Sequence, residues 1–352
     1  MRTLVVIVNY RTGGLVVDCL RSLEPELRAC GGAGVVVVDN CSGDGSDERI
    51  AAAIASEGWS DWARLVRAPV NGGFSYGNNL AIRPSLDSGE APEAYWLLNP
   101  DTEVRPGALR ALLDFLGAQP RVGIVGSSFE GATGQVWPHA FRFPSIWSEL
   151  ASGLRLGIVG TLLKKHLVLL RMSDRAERVD WLPGASMLVR REVFEQVGLM
   201  DEGYFLYFEE TDFCLRAAKA GWACWYVPQS RVMHIAGQST GVTGERGLSN
   251  RRPAYWFESR RRYWIKNHGW PYAAVTDLVW VLAFALRRLR NGLLRRADAV
   301  PPHFFRDFLR GSALFSTALP FNASLGAATS PQDRARYLDQ GGRVTRSPGR
   351  GS

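Results

Sequence analysis

Short runs of β-branched and apolar residues alternate with helical patterns through the first third of the chain. This alternation constrains the fold more than any other feature. The runs lie at residues 4–8 (LVVIV), 35–39 (VVVVD), 63–68, 94–99 and 122–127. Apolar strands separated by amphipathic helices are typical of a parallel sheet that is covered by helices on both faces. The sequence therefore predicts an α/β fold with a mostly parallel central sheet flanked by helices.

The pattern changes after residue 127, and we predict the domain organisation from that change. Residues 1–245 form the predicted catalytic domain, with a loop-rich insertion at 130–180 that contains an amphipathic segment. A basic, aromatic and helical extension follows at 246–328. The last stretch, 329–352, is rich in Gly, Pro, Ser and Arg, and we expect it to be disordered.

An excess of positive charge points to an anionic partner. The chain carries a formal net charge of +8 and has a pI near 9.5, which suits a nucleic acid, an anionic membrane face or a phosphorylated ligand. The five cysteines contain no CxxC pair, which favours a reducing cytosol. We expect no signal peptide, because the first apolar run is short, and no spanning helix, because the stretch at 273–286 falls short of roughly 20 apolar residues.

Polar residues follow three of the predicted strands at the point where each strand ends. They are Asn9 and Tyr10, then Asp39, Asn40 and Ser42, then Asn99 and Asp101. Ligands of open α/β sheets bind past the carboxyl ends of the strands, so these residues are candidates for a binding site. The first turn, NYRTGG, lacks the GxGxxG spacing of a dinucleotide site, and NGGFSYGNN at 71–79 also fails it. Binding of NAD is therefore a weak candidate.

Six motifs occur in one order along the chain: VVIVNYRTGG, VVVVDNCSGDGS, NGGFSYGNN, LLNPDTEV, WLPGASMLVRREVFEQVGLMDEGYFLYFEETDFCLRAAKAG and VMHIAGQS. Together they resemble the family 2 glycosyltransferases, and within these the bacterial rhamnosyltransferase-like branch. The resemblance covers roughly residues 3–240. It implies the GT-A type of fold, which is the fold of nucleotide-diphospho-sugar transferases, here with a helical C-terminal extension.

The resemblance implies a donor site for a nucleotide-sugar. Its residues would be Asn9, Tyr10, Asp39, Asn40, Ser42, Asn71, Gly72, Gly73, Asn78 and Asn99. Asp39 would hold the nucleobase with Tyr10 against it, since a carboxylate can accept a hydrogen bond from a pyrimidine N–H. The glycines would let backbone amides approach the donor. An alternative for Asp39 is a local turn, which Asp favours after a strand.

The same resemblance implies a site for Mg2+ or Mn2+. Asp101 matches the last acid of the family's DxD motif, and Asn99 stands where many members have the first acid. His234 matches a histidine that some members use as a second ligand. Hard cations bind carboxylates and complete their shells with substrate phosphate and water. The alternative for His234 is a purely structural histidine.

Three acids at a helix start, Glu209, Glu210 and Asp212, are the candidate catalytic residues. Their flanking sequence is apolar, and burial raises the pKa of a carboxyl group toward that of a useful base. The family usually has Glu-Asp-x-Asp here, with the second acid as base. Glu210 takes that place and is our candidate base, although Glu209 stays open; Glu209 and Asp212 would support the site. The alternative is helix capping and solvated charge.

The motif WLPGAS supplies candidates for an acceptor and sugar pocket. An aromatic ring such as that of Trp181 can pack on a pyranose face, and Gly184, followed by Ala185, permits close approach. A core tryptophan followed by a turn is an equally good interpretation.

The extension interleaves basic and aromatic residues in a way that predicts a membrane surface. Arginines and lysine at 251–266 alternate with tyrosines and tryptophans, and an apolar stretch ending in arginines follows. This composition favours an anionic lipid surface over RNA, so we expect a peripheral protein on the cytoplasmic face of the plasma membrane and no nucleic-acid partner.

These patterns together predict an inverting, metal-dependent glycosyltransferase, a hexosyltransferase of family 2. It would act on a lipid-linked or cell-surface glycan acceptor. The branch resemblance alone suggests dTDP-rhamnose as donor, and a UDP-hexose or UDP-galactofuranose stays open. Two alternatives are a sugar nucleotidyltransferase, for which NYRTGG offers only Arg11, and a non-catalytic protein that binds nucleotide-sugars or glycans.

Overall fold

A computed structural model describes residues 1–131, 133–234, 250–298 and 300–326 of this chain. The tail that we predict to be disordered, 329–352, lies outside these residues, as does the end of the VMHIAGQS motif after His234.

The described residues contain one sheet of nine strands, numbered here in chain order. They are β1 (Thr3–Asn9), β2 (Ala33–Asp39), β3 (Ala63–Arg67), β4 (Ala94–Leu98), β5 (Thr102–Val104), β6 (Val122–Glu130), β7 (Glu177–Val179), β8 (Ser186–Arg190) and β9 (Ala223–His234). Their spatial order is β3-β2-β1-β4-β8-β6-β9-β5, and β7 pairs with β9 outside this path.

The first half of the sheet is parallel, as the sequence predicts. β1 pairs in parallel with both β2 and β4, and β2 pairs in parallel with β3. The carboxyl ends of these strands therefore open at one edge of the sheet. β8 differs, because it runs antiparallel between β4 and β6, with Leu98 opposite Ser186. That reversal brings the residues just before β8 to the same edge.

Twelve helices occur in the described part of the chain, and the last four belong to the C-terminal extension. They are α1 (Gly13–Cys30), α2 (Ser46–Ser56), α3 (Gly73–Leu86), α4 (Ala108–Ala118), α5 (Ile146–Leu154), α6 (Gly157–Leu162), α7 (Arg191–Val197), α8 (Glu209–Lys219), α9 (Ala254–His268), α10 (Trp270–Leu293), α11 (Phe304–Gly311) and α12 (Ala323–Gly326).

Two apolar layers lie on the two faces of the sheet. Val5 and Ile7 of β1 pack with residues of α1, α2 and α4, whereas Val6 packs with residues of α3, α7 and α8. Side chains alternate across a strand, so a strand with a core on each face must be apolar at every position. This is why the uninterrupted run LVVIV folds at the centre of the sheet.

The sequence PGALRALLDFLGA at 106–118 predicts a helix with Pro106 in its first turn, where proline is favoured. The helix instead begins at Ala108, and Gly107 caps it with a φ of 82°. A left-handed backbone is accessible to glycine at little cost, so Gly107 sets the helix start.

The insertion at 130–180 contains more regular structure than the sequence suggests. It includes α5, α6, a short 3₁₀ turn at 164–166 and strand β7. Ser145 caps α5, since its hydroxyl accepts from the backbone N–H of Ser148 while the Ser148 hydroxyl donates to the Ser145 carbonyl. α5 packs closely on α10: a Cβ on Gly153 would lie only 2.7 Å from the Cβ of Ala283. The insertion is therefore held against the C-terminal extension.

A buried ionic network joins α9 of the extension to acids earlier in the chain. Lys266 of α9 donates to Asp201 at 2.7 Å and to Asp212 at 2.8 Å. Arg262 also pairs with Asp201, at 2.9 Å. Arg260 of the same helix pairs with Glu149 and Asp277. Our expectation that the basic residues of this segment contact lipid is wrong for these three, because each is turned inward onto carboxylates.

The stability that this network contributes depends on pH through the ionisation of Asp201. Burial opposes ionisation of Asp201, but Lys266 and Arg262 outweigh it and lower the pKa to about 2. The usual value for Asp is about 3.9, so this pairing contributes stability above about pH 4 that is lost as the pH falls toward 2.

Replacing Lys266 by methionine should destabilise the whole protein. Lys266→Met leaves two buried carboxylates without a shared cation, which typically costs about 3 kcal/mol or more of unfolding free energy. The pKa of Asp201 should rise, so acid unfolding should begin at a higher pH. Urea titrations between pH 3 and pH 7 measure both effects.

Lys219→Met is the matched control, since Lys219 is an exposed lysine on the neighbouring helix α8. Equal stability losses for the two variants would show that the network does not hold the extension in place.

Candidate active site

The ends of β1 and β2 are joined by a buried polar network. Asn9 is fully buried and its Nδ2 donates to Asp39 Oδ1 at 2.7 Å. The Ser42 hydroxyl donates to the same oxygen at 2.6 Å, and the Ser42 backbone N–H donates to Asp39 Oδ2 at 3.0 Å. The local turn that the sequence left open for Asp39 is therefore formed. It holds the carboxylate at the open edge of the sheet.

Arg11 lies among the candidate donor residues, although the sequence analysis named it only for the nucleotidyltransferase alternative. Its backbone N–H donates to the Ser42 hydroxyl at 3.0 Å, and its Nε donates to the Ser42 carbonyl at 3.1 Å. The guanidinium lies over the half-buried ring of Tyr10, 5.2 Å from its centre. Its position next to Tyr10, directly after a strand, is the signal that could have identified it.

The second predicted donor loop packs on the first. Asn40 Nδ2 donates to Asn71 Oδ1 at 3.0 Å and to the Gly73 carbonyl at 3.1 Å, and the Gly72 N–H donates to Asn40 Oδ1. Gly73 has a φ of 83°, and a Cβ there would lie 1.9 Å from the carbonyl oxygen of Phe205. Only glycine permits this approach, which brings the segment before α8 against the donor loop.

Asn78 lies inside α3, after the donor loop. It is 1% exposed and its Nδ2 donates to the carbonyl of Phe74 within α3. The structure therefore places it beneath the loop rather than at its surface.

Asp101, His234 and Asn99 come together at the opposite side of this edge. β5 pairs with β9 so that Thr102 faces His234, which places Asp101 Oδ1 at 3.3 Å from His234 Nε2. Asn99 Nδ2 lies 3.5 Å from the same nitrogen. Asn99 and Asp101 are two residues apart, whereas His234 is 135 residues from Asn99, and the register of β5 on β9 makes it their neighbour.

The geometry of Asp101 and His234 suits a pair of metal ligands. Two ligands at right angles, each roughly 2.1 Å from an Mg2+ ion, are about 3 Å apart. No group of three His, Cys, Asp or Glu side chains with metal-binding geometry occurs in the part of the chain that the structure describes. The protein would therefore supply two ligands here, and a bound substrate and water the remainder.

Two of the three acids at the start of α8 form a carboxyl pair. Glu209 is 1% exposed, whereas Glu210 is half-buried and faces a cavity. Burial raises the pKa of both groups, and the neighbouring Glu210 raises that of Glu209 well above its usual value. A hydrogen bond from the Glu209 carboxyl partly offsets the rise at Glu210. Because Glu210 is the one that faces the cavity, it is the group of the pair that can exchange a proton with a ligand.

Asp212 is closed off from the cavity by its own partners. It is fully buried, and it accepts hydrogen bonds from Arg216, Lys266 and Asn267. Burial opposes its ionisation, but Arg216 and Lys266 lower its pKa below the usual value. This carboxylate anchors α8 rather than facing a ligand.

The cavity that Glu210 faces has a volume of about 440 Å³. Trp181 lines it, stacked on Phe141 at 4.2 Å and held by a hydrogen bond from its Nε1 to the Arg142 carbonyl. Trp181 therefore forms part of the cavity wall.

Gly184 and Ala185 connect the acids to the Asp101 edge. A Cβ on Gly184 would lie 3.8 Å from Glu210 Cγ and 2.6 Å from the ring of Phe74. The carbonyl of Ala185 accepts the backbone N–H of Asn99 at 3.1 Å. One turn before β8 thus spans from the candidate base to the candidate metal ligands.

Comparison with known proteins gives one consistent result. A family model described as glycosyltransferase like family 2 matches residues 2–262. An N-acetylglucosaminyl-diphospho-decaprenol L-rhamnosyltransferase of Mycobacterium tuberculosis is 31% identical over 306 residues, which cover 84% of this chain and 93% of that relative. The rhamnosyltransferase WbbL of Escherichia coli is 30% identical over 171 residues, which cover 47% of this chain and 61% of WbbL.

Two solved structures share the fold. GalNAc-T7 with UDP, GalNAc and Mn2+ has a TM-score of 0.53 at 15% identity and covers 91% of this chain and 58% of GalNAc-T7. The mannosyltransferase PcManGT of Pyrobaculum calidifontis, in complex with GDP-Man and Mn2+, has a TM-score of 0.52 at 14% identity and covers 96% of this chain and 84% of PcManGT.

Proposed function

Since this chain belongs to the glycosyltransferase like family 2, we propose that it transfers a sugar from a nucleotide-sugar to a lipid-linked glycan acceptor with inversion at the anomeric carbon. That it is a glycosyltransferase with the GT-A fold, in the rhamnosyltransferase-like branch, follows from the family match, the relatives and the solved structures. The sequence left open a nucleotidyltransferase and a non-catalytic binding protein. The family match and the relatives favour a glycosyltransferase over both.

One observation carries the proposal: the turn at Gly184 and Ala185 lies between Glu210, at the cavity, and the Asp101 edge. A single displacement needs an acceptor hydroxyl and its base on one side of the anomeric carbon. It needs the departing diphosphate on the other side. The arrangement of the candidate base and the candidate metal ligands offers both sides within one open site.

Glu210 acts as the base in this reaction. Its carboxylate accepts the proton of an acceptor hydroxyl as the oxygen attacks the anomeric carbon, and the bond to the nucleoside diphosphate breaks. Asp101 and His234 would hold a divalent cation, with Asn99 beside them. When bound, that cation supplies positive charge that stabilises the negative charge on the departing diphosphate.

The donor loops would bind the nucleotide. Asp39 and Tyr10 offer an acceptor and an aromatic face to a base, and Asn71, Gly72 and Gly73 offer amides and open backbone to the rest of the donor. We propose dTDP-rhamnose as donor, because two relatives are named rhamnosyltransferases. The lipid-linked acceptor is supported by the diphospho-decaprenol in the name of the mycobacterial relative.

The outer face of α10 supports binding to a membrane surface. Its exposed apolar side chains recur every three or four residues and form one row, which we call the α10 row: Val275, Leu278, Leu282, Leu286, Leu289 and Leu293. Arg288 and Arg290 lie between the last leucines of this row, and Arg295 and Arg296 follow it. An apolar face with cations beside it suits an anionic lipid surface, here the cytoplasmic face of the plasma membrane. Among the described helices, none has the length and hydrophobicity needed to span a bilayer.

Replacing the acid of the candidate metal pair should abolish donor turnover. Asp101→Ala should reduce release of nucleoside diphosphate by at least roughly 100-fold, since loss of the ligand removes charge stabilisation of the leaving group. The assay tests dTDP-rhamnose, UDP-galactofuranose and UDP-hexoses with lipid extract as acceptor, with Mn2+, Mg2+ or EDTA. Asp114→Ala, at an exposed aspartate of α4, is the control. Full activity of Asp101→Ala in EDTA would refute the metal site.

The pH dependence of turnover should depend on the pKa of Glu210 and on its hydrogen bond with Glu209. Because the pKa of Glu210 is raised, the rate should fall on acidification at a higher pH than an ordinary glutamate would produce. Glu209→Ala removes the hydrogen bond that lowers the pKa of Glu210, so the rate of this variant should fall at a higher pH than that of the wild type. Glu209→Gln keeps a hydrogen-bond donor, so the same pH should shift less. Glu210→Gln should be inactive. An active Glu210→Gln with an inactive Glu209→Gln would reverse the assignment of the base.

Polar substitutions in the α10 row should weaken membrane binding. Leu282→Ser combined with Leu286→Ser should reduce cosedimentation with phosphatidylglycerol vesicles by at least roughly tenfold, because each buried leucine contributes about 1.5–3 kcal/mol. Ala285→Ser, at an exposed position of the same helix, is the control. If the double variant bound vesicles normally but changed from dimer to monomer, the α10 row would be a dimer interface instead.

A further inference from the structure

The end of the C-terminal extension returns to the donor loop at 71–73. Asn322, directly before α12, is 5% exposed. Its Nδ2 donates to the Gly72 carbonyl at 2.7 Å and to the Glu202 carbonyl at 3.2 Å. The first of these hydrogen bonds joins residues that are 250 positions apart in the chain. One side chain near the end of the described residues therefore contacts both the donor loop and the segment that leads to α8.

The amide group of Asn322 uses both of its donor hydrogens and its oxygen. The NH2 group carries two hydrogens, one for each of the two carbonyls, and Oδ1 accepts the backbone N–H of Ser324 at 3.2 Å. An aspartate has nearly the same shape, but its carboxylate only accepts hydrogen bonds and would oppose the two carbonyl oxygens. The contact therefore depends on the amide nitrogen rather than on the size of the side chain.

The peptide group that accepts from Asn322 lies between two glycines. Gly72 has a φ of −88° and Gly73 a φ of 83°. Because neither residue has a Cβ, the peptide group between them can rotate at little steric cost, which would reverse the Gly72 carbonyl and the Gly73 N–H. In the structure that N–H donates to Asn71 Oδ1 at 3.2 Å. Asn322 binds the other end of the peptide group, from outside the loop, and so opposes the rotation.

The second contact of Asn322 falls on the segment that precedes the acid helix α8. This segment begins near Glu202 and ends at Tyr207 and Phe208, whose φ angles of 71° and 67° are unusual for residues other than glycine. Such a backbone persists only where its surroundings hold it in place. Asn322 therefore holds the donor loop and the beginning of this segment in one fixed arrangement.

The segment that carries Asn322 is itself anchored to α9. Nη1 of Arg262 donates to the Pro320 carbonyl at 2.7 Å, and the same guanidinium pairs with Asp201. Leu325 of α12 is 1% exposed. Pro320, Asn322 and Leu325 all lie after residue 262, where the family match ends. The extension of this chain therefore supports the donor loop with residues that the family match does not include.

We propose that Asn322 is a positioning residue of the donor site, which fixes the peptide group between Gly72 and Gly73 so that the donor loop is ordered before a nucleotide-sugar binds. This assignment rests on the proposed glycosyltransferase function. Ordering a loop in advance removes a free-energy cost from binding. The side chain of Asn322 donates to backbone carbonyls and not to Glu210 or Asp101, so its loss should weaken donor binding and leave the chemical step nearly unchanged.

Two substitutions of Asn322 test this role in the full-length protein. Asn322→Ala removes the amide, and Asn322→Asp keeps the shape but replaces the donor by an acceptor. Each should raise the KM for dTDP-rhamnose by about tenfold and change kcat by less than about twofold, because the buried Gly72 carbonyl loses its partner. Calorimetric titration with dTDP-rhamnose and Mn2+, without acceptor, should show the same increase in Kd. Urea titration shows which of the two variants is folded.

Asn291→Ala is the matched control. Asn291 is a buried asparagine of α10 whose Oδ1 accepts from Arg290 rather than contacting the donor loop. Its loss should lower stability without changing the KM or the Kd for the donor. A general effect of destabilisation would instead weaken donor binding equally in Asn291→Ala and Asn322→Ala, and this result would overturn the assignment.

Unchanged donor affinity in a folded Asn322 variant would also overturn the assignment, as would a lower kcat at an unchanged KM. Either result leaves the glycosyltransferase function intact, provided that the wild-type protein binds and consumes the donor. A wild-type protein that binds neither dTDP-rhamnose, UDP-galactofuranose nor a UDP-hexose would refute the proposed function, and the role of Asn322 with it.

Discussion

The reversed strand β8 is the constraint on which the active site depends. It lies antiparallel between β4 and β6, so its first residue meets the carboxyl end of β4. A parallel strand at this place would carry the Gly184–Ala185 turn to the opposite edge of the sheet. Because β8 is reversed, that turn lies beside Asn99 and Glu210.

Buried ion pairs join the C-terminal extension to the helix that carries the three acids and to α5 of the insertion. Asp212, within the acid motif, is neutralised by Arg216 of its own helix and by Lys266 of α9. Arg260 joins α9 to both α5 and α10 through Glu149 and Asp277. Such buried ion pairs are costly to break, because removing one partner leaves a desolvated charge. The extension therefore positions the acid helix as well as lining the cavity beside it.

A division of roles among the acids follows from their surroundings. Glu209 and Glu210 have raised pKa values, chiefly through burial, while Asp212 has a lowered pKa because cations surround it. Proton transfer needs a carboxyl whose pKa lies near neutral pH, and structural anchoring needs one that stays charged. Three neighbouring residues of similar chemistry thus have pKa values shifted in different directions, and the packing around each one is the cause.

The sequence by itself determined the α/β class, the strand ends that carry Asn9, Asp39 and Asp101, and the family, because hydrophobic period and motif order are local properties of the chain. Tertiary structure decided which distant residues meet. The register of β5 on β9 pairs Asp101 with His234, and the packing of α9 turned Arg260, Arg262 and Lys266 inward onto acids, against our expectation from composition. Composition reports which charges are present, whereas burial and partners depend on the contacts of the folded chain.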